Sequence, residues 1–231
     1  PHVPLNSCID VVYQSFNTSN ISNDEDSAAI SQFQLTPKKY VLHVGSFDPR
    51  KDLITLVKAM KHVEQENGVD ELKLVLAGET VLNGDASVFN EIQKYCVKHE
   101  LADKVVCTGY ISEGVLQALY TNAMLLVFPS KDEGFGIPIL EAFSKGLPVL
   151  VSNCEAFVEV AADAAAQFPV GDSRELANRI TELYRNPLQR EHLVACGTER
   201  LKRFSRAQFA KSMEQVVLKH TLLKSTQQHG A

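Results

Sequence analysis

Two short stretches of the chain combine residue types that do chemistry. In the first, running from Pro129 to Ala142, Gly134 and Gly136 stand just ahead of Pro138. Proline suits the first turn of a helix, and glycines before it present no Cβ to an approaching oxygen. Amides at such a helix start point outward and favour an anion. Glu133 lies in the loop and Glu141 one turn inside the helix, so two carboxylates flank one small site from different directions. An ionised carboxylate only accepts hydrogen bonds, which suits hydroxyl-rich ligands, sugars foremost. The competing account takes Glu133 as a first-turn residue favoured by the helix dipole and Glu141 as a solvated helix residue; spacing alone leaves both open. In the second stretch, Gly45 to Asp52, a glycine permits a tight turn, and Arg50 and Lys51 set two cations near a helix N-terminus. That combination cradles phosphate. It matches neither the G-x-G-x-x-G fingerprint nor a Walker loop, and a turn with a solvated Arg-Lys pair is the simpler account of the loop by itself.

These stretches need elements to hold them. Tyr40 to Val44 is a buried-strand run ending at Gly45, followed at helical spacing by Leu53, Leu56, Val57, Met60 and Val63. The pattern repeats. Leu72 to Ala77 ends at Gly78 before a helical stretch with Val88, Ile92, Tyr95 and Cys96; Val105 to Cys107 ends near Gly109 before Val115, Leu116, Leu119 and Tyr120. Met124 to Phe128 precedes the Pro138 helix, Pro148 to Val151 ends at Ser152-Asn153, and Ala164 to Phe168 is a weaker last strand. Continuously apolar strands alternating with helices imply a doubly wound, Rossmann-like parallel sheet with helices on both faces. Ligands then lie beyond the carboxyl ends of the strands. Two or three helices are expected after Gly171: Ser173 to Tyr184, Pro187 to Phe204, and Ala207 to about Leu223. Ile9 to Tyr13 alternates like one strand, and residues 15–38, rich in Ser, Asn and Asp, read as a surface loop or linker.

Composition narrows the class. With 231 residues, 45% hydrophobic and 22% charged, the chain can bury a large core. Its 23 Lys and Arg against 28 Asp and Glu, a net charge of -5, argue against nucleic acid as a partner. The longest apolar stretch, Ala123 to Phe128, is far short of the roughly 20 residues a membrane helix needs. Five scattered cysteines without a C-x-x-C pair fit a reducing compartment and exclude zinc ribbons. The histidines form no ligand-spaced cluster, and His43, inside a strand, reads as a core residue. Ser130 and Cys154 end strands without a visible triad partner.

The segment Glu133-Gly134-Phe135-Gly136-Ile137-Pro138-Ile139-Leu140-Glu141-Ala142, followed by Gly146-Leu147-Pro148-Val149, resembles the E-x7-E signature of retaining glycosyltransferases of family four, which have the GT-B fold. The loop Val44 to Leu53 is similar to that family's glycine to P-R-K loop, Leu76-Ala77-Gly78 to its second strand end, and Thr108 to Ser112 to its base-contacting turn. Phe168 to Asp172 and Arg203-Phe204-Ser205 resemble later landmarks, so the likeness covers residues 39 to 220 in the family's order. Many relatives have arginine where this chain has Ser46, and Phe-Ser-Trp where it has Phe204-Ser205-Arg206.

The resemblance implies a UDP- or GDP-hexose as donor substrate, no further cofactor, and no metal. Asp24-Glu25-Asp26 is similar to a D-x-D metal motif but falls in the linker. Glu141 would accept from the ribose hydroxyls and Glu133 from those of the transferred sugar. The amides of Gly134, Phe135 and Gly136, leading into Ile137, would lie against sugar and phosphates. Lys51 and Arg50 would neutralise the pyrophosphate beside Gly45 and Ser46, and the backbone at Tyr110 and Ile111 would meet the base. Residues 1–38 would be a linker or the end of an amino-terminal acceptor domain missing from this chain, 39–205 the donor-binding half, and 206–231 a terminal helix and tail. The acceptor, a glycan, lipid or small molecule, would be held by that missing domain. A cytoplasmic protein, with or without peripheral contact at the inner face of a membrane, is expected. Two alternatives stay open: a non-catalytic nucleotide-sugar-binding module, and a sugar-nucleotide epimerase of the same fold.

Overall fold

The computed structural model describes residues 10–16, 27–66, 69 and 71–228. Six strands, β1 (Tyr40–Val44), β2 (Lys73–Ala77), β3 (Val105–Gly109), β4 (Leu125–Phe128), β5 (Val149–Ser152) and β6 (Ala166–Phe168), form one sheet in the order β3-β2-β1-β4-β5-β6. Every pairing is parallel. The strands are mostly apolar because both faces are covered. Tyr40, Leu42, Val75, Leu126, Phe128, Val149 and Val151 enter one core, while Val41, Leu74, Leu76, Leu125, Val127 and Leu150 enter the other. That alternation is the pleat of the strand seen from both sides.

Helices α2 (Leu53–Glu64), α3 (Ser87–Lys98) and α7 (Ser173–Arg185) pack on the second core. On the first lie α1 (Ser27–Ser31), α4 (Glu113–Asn122), α5 (Ile137–Ser144) and α6 (Glu155–Ala161). Helix α8 (Pro187–Leu201) meets α5 closely: a Cβ on Gly197 would stand 2.6 Å from Phe143 Cδ1. After a short 3-10 turn at Lys202–Phe204 comes α9 (Arg206–Gln228).

The structure corrects the sequence reading in four places. Residues 10–16 form no strand, and Ile9 lies outside the described residues. Phe16 N donates instead to Phe204 O at 2.7 Å, and the Tyr13 ring packs edge-on against Phe204. The apolar side chains of the segment cover Phe204 and Phe135, so it does not extend a sheet edge. Residues 15–38 are not all loop. Within them α1 buries Ile30, and Leu35 is buried beyond it; one turn with a single buried side chain has too few apolar positions to show a period. Helix α6, between β5 and β6, was not anticipated: its seven residues bury Phe157, Val160 and Ala161, too short a run to set a period apart from its surroundings. Finally, the Pro187 to Phe204 helix breaks at Lys202 into the 3-10 turn. Asp24 to Asp26 lie outside the described residues.

Candidate functional site

The strand order reverses between β1 and β4, the two central strands, so the loops leaving them run to opposite faces and open a crevice at their carboxyl ends. Both chemistry-bearing stretches are those loops. The first begins at Gly45, which turns with φ +156. Gly45 N donates to Ala77 O and Phe47 N to Glu79 O, each at 2.9 Å, which holds the loop on the end of β2. The approach is tight: a Cβ on Gly78 would lie 2.1 Å from Gly45 O. Asp48 then caps the 3-10 turn Pro49–Lys51 by accepting from Arg50 N at 2.8 Å.

The two cations of this turn have different fates. Arg50 folds back onto Asp48, with Nη2 to Oδ2 at 2.9 Å and its side chain 62% exposed. That guanidinium holds the Asp48 carboxyl below its ordinary range. Lys51 points across the crevice, and its ammonium pairs with Glu133 Oε1 from the loop after β4, the two side chains being 19% and 12% exposed. Ser130 Oγ, fully buried, donates to the same Glu133 oxygen at 2.8 Å. Ser130 is itself held by the Ser152 hydroxyl at the end of β5. Lys131 N donates to Arg50 O at 2.8 Å, and its ammonium reaches Asp52 Oδ1 at 3.3 Å. The loops are thus joined by one cation from each side.

Helix α5 starts at the crevice. Gly136 is its N-cap at φ +96, a left-handed conformation that favours glycine. Gly134 has open space where a side chain would be. The Phe135 ring faces inward, against Tyr13 and Phe204, so only its backbone is left to the crevice. Ile137 opens the helix, and Glu141 lies a turn further on, half-buried, accepting from Tyr120 Oη at 2.7 Å on Oε2. Burial raises the Glu141 carboxyl above its ordinary range, the Tyr120 hydrogen bond opposes this, and Glu113 adds to it. Glu133 lies ahead of α5 and not in its first turn, and Glu141 is half-buried and not solvated, unlike in the competing account. Ser46 sits partly buried in the first loop. Gly109, at φ +66, turns the chain into the β3 loop, where Tyr110 is 84% exposed and Ile111 packs on the first core.

Two residues were missed by sequence reasoning. Ser130 was weighed only as a nucleophile. Tyr120 was counted among apolar helix positions, although a buried tyrosine hydroxyl needs a partner and so carries its own signal. His43 is buried as expected, its Nδ1 on Val127 O at 2.9 Å, and burial lowers its pKa to about 4. Its Nε2 has no hydrogen-bond partner among the described residues. Among the described residues no group of three or more His, Cys, Asp or Glu is placed to hold a metal ion, and no helix is long and apolar enough to cross a membrane.

Sheet order and crevice define a doubly wound α/β protein with its candidate site at the strand switch. The chain belongs to the glycosyl transferases group 1: the model of that family matches residues 26–200. It is 30% identical over 176 residues to O-antigen chain mannosyltransferase B of Escherichia coli, which covers 76% of this chain and 45% of that protein. The chain therefore spans about half the length of the curated relatives it matches. Among solved structures, HepE of Anabaena in complex with UDP and glucose superposes with a TM-score of 0.77 at 21% identity, over 91% of this chain and 57% of HepE. The carboxyl-terminal domain of the group 1 glycosyl transferase LpcC from Francisella tularensis superposes with a TM-score of 0.67 at 18% identity, over 86% of this chain and 100% of that domain.

Proposed function

We propose that this chain is the donor-binding half of a retaining GT-B glycosyltransferase, which moves a hexose from a UDP- or GDP-sugar to a hydroxyl acceptor. The observation that carries it is the pairing of Lys51 with Glu133 across the switch point, beside the N-terminus of α5. An ammonium, a carboxylate and helix-start amides around one crevice match the three parts of a sugar diphosphate. Glu133 accepts from sugar hydroxyls, Lys51 and the amides of Gly134, Phe135 and Gly136 face the pyrophosphate, and Glu141 accepts from the ribose. Gly45 and Ser46 border the phosphates, Ile137 carries the chain into α5, and the backbone at Tyr110 and Ile111 meets the base. Arg50, drawn to Asp48, contributes to the field rather than by direct contact.

Lys51 and Glu133 satisfy each other across the crevice. A donor replaces that bond with two, phosphate on the ammonium and sugar hydroxyl on the carboxylate. Charge on the leaving diphosphate grows as the glycosidic bond breaks, so a fixed cation and helix amides stabilise the transition state more than the ground state. These groups supply the positive charge, so a divalent metal is not needed.

The match of this chain to the whole of an isolated carboxyl-terminal domain supports placing the acceptor site on a further, amino-terminal domain. Residues 39–205 then form the donor half, residues up to 38 the approach from the other domain, and 206–231 the terminal helix and tail. The mannosyltransferase relatives put mannose among the hexoses to try on UDP and GDP, and the acceptors to try are a glycan, a lipid and a small molecule. A cytoplasmic location with peripheral membrane contact belongs to the same reading. Calorimetric titration with UDP, GDP and their hexose conjugates, with chelator present, tests it. At least one pair should bind; if none of the four does, the donor reading fails.

A further inference from the structure

Glu141 does not stand alone in its half-buried position. A carboxylate only accepts, so the 2.7 Å contact runs from the Tyr120 hydroxyl to Oε2 and gives the buried phenol its partner. Tyr120 is fully buried on α4, with the packing around its ring fixed, whereas Glu141 projects from α5. The bond therefore ties the glutamate of one helix, through Oε2, to a rigid anchor on another. Two groups on α4 act on the ionisation of Glu141, in opposite senses: Tyr120 donates to the charged form, while Glu113 repels it. Glu113 is held in place by Gln117 Nε2, which donates to its Oε1 at 2.7 Å.

Building on the donor-site reading above, we infer that Tyr120 is a positioning residue for nucleotide binding: by holding Oε2 it fixes the orientation in which the Glu141 carboxylate meets ribose hydroxyls. Tyr120 touches no ligand. Without its hydroxyl, burial and Glu113 act on Glu141 unopposed, so the carboxyl protonates at a higher pH and swings more freely when charged.

Tyr120→Phe preserves ring volume and tests this with two readouts. In ligand-free protein, the Glu141 carboxyl carbon followed by NMR should titrate at a higher pH in Tyr120→Phe than in the wild type; an unchanged midpoint overturns the inference whether or not nucleotide binds. By calorimetry with UDP and GDP at neutral pH, Tyr120→Phe should bind roughly tenfold more weakly. Its binding should also fall away at a higher pH as the solution is acidified. In a Glu141→Ala background the same change should cost less than about twofold, because a positioning residue has nothing left to position. Equal losses in both backgrounds show a merely structural tyrosine and overturn the proposal. A wild type that binds neither nucleotide overturns the donor reading and this proposal's role in binding, and is told apart from failure of the tyrosine argument by the Glu141 titration.

Discussion

Replacing Lys51 with methionine keeps most of the stem and removes the ammonium from Glu133. Both side chains are nearly buried, at 19% and 12% exposure, so the carboxylate loses its counter-charge where water cannot fully replace it. Removing one member of a fully buried pair costs about 3–5 kcal/mol. The remaining Ser130 hydrogen bond and the residual exposure trim this to about 2 kcal/mol. With an m-value of about 2–3 kcal/mol/M, the urea midpoint should fall by about 0.7–1 M. The double variant Lys51→Met/Glu133→Gln carries neither charge and should regain stability to within about 1 kcal/mol of the wild type. It should not regain nucleotide affinity, since the lost phosphate contact is worth about 1.5–3 kcal/mol, roughly 10- to 150-fold. Glu133→Gln by itself frees Lys51 from its carboxylate. It should bind plain nucleotide at least as tightly as the wild type and the nucleotide sugar more weakly. Urea denaturation followed by circular dichroism, with calorimetry on UDP, GDP and their hexose conjugates, reads all four proteins. A Lys51→Met variant as stable as the wild type, or a double variant with wild-type nucleotide affinity, would refute the reasoning.

Arg50→Ala should weaken nucleotide binding less than Lys51→Met, by under about tenfold, because the guanidinium is turned onto Asp48; a larger loss in calorimetry would place Arg50 directly on the ligand. Gly78→Ala sets a Cβ 2.1 Å from Gly45 O at φ +148 and should cost about 3 kcal/mol or more, roughly 6–12 °C in Tm, whereas Gly114→Ala, in α4 with nothing within 4 Å, should be neutral or slightly stabilising by thermal melting. The folded-state pKa of His43 is about 4 against 6.5 for the free side chain, so the unfolded chain binds more protons between those values and stability falls as pH drops from about 6.5 to 4. His43→Leu should flatten that part of a stability-against-pH curve by up to about 3 kcal/mol, and an unchanged slope would mean that His43 is not held neutral.

Helices α2 to α5 and strands β1 to β5 could be read from the chain because each writes a local period or an unbroken apolar run closed by glycine or proline. Gly45, Gly78 and Gly136 mark turns that the backbone takes in every case, with φ of +156, +148 and +96. The short elements left no such trace. One turn of helix at Ser27–Ser31 and the seven residues of α6 are placed by what they pack against, and a single buried Ile30 has no period. The carboxylates, the cations and the helix start were visible as types at suggestive spacings, yet the same letters allowed a solvated loop.

Local sequence determined the alternation of strand and helix, the glycine turns and the residues available for chemistry, because those follow from side-chain period and backbone freedom within a few residues. Tertiary structure alone decided which residues meet. Lys51 and Glu133 are 82 positions apart and come together because β1 pairs with β4, a choice made by packing both faces of the whole sheet. The same long-range packing brought Tyr120 to Glu141, whereas Arg50 on Asp48 and Ser130 on Glu133 are contacts between near neighbours in the chain. Burial, and with it the ionisation of His43 and Glu141, is likewise a property of what surrounds a side chain, and no window of sequence contains its surroundings.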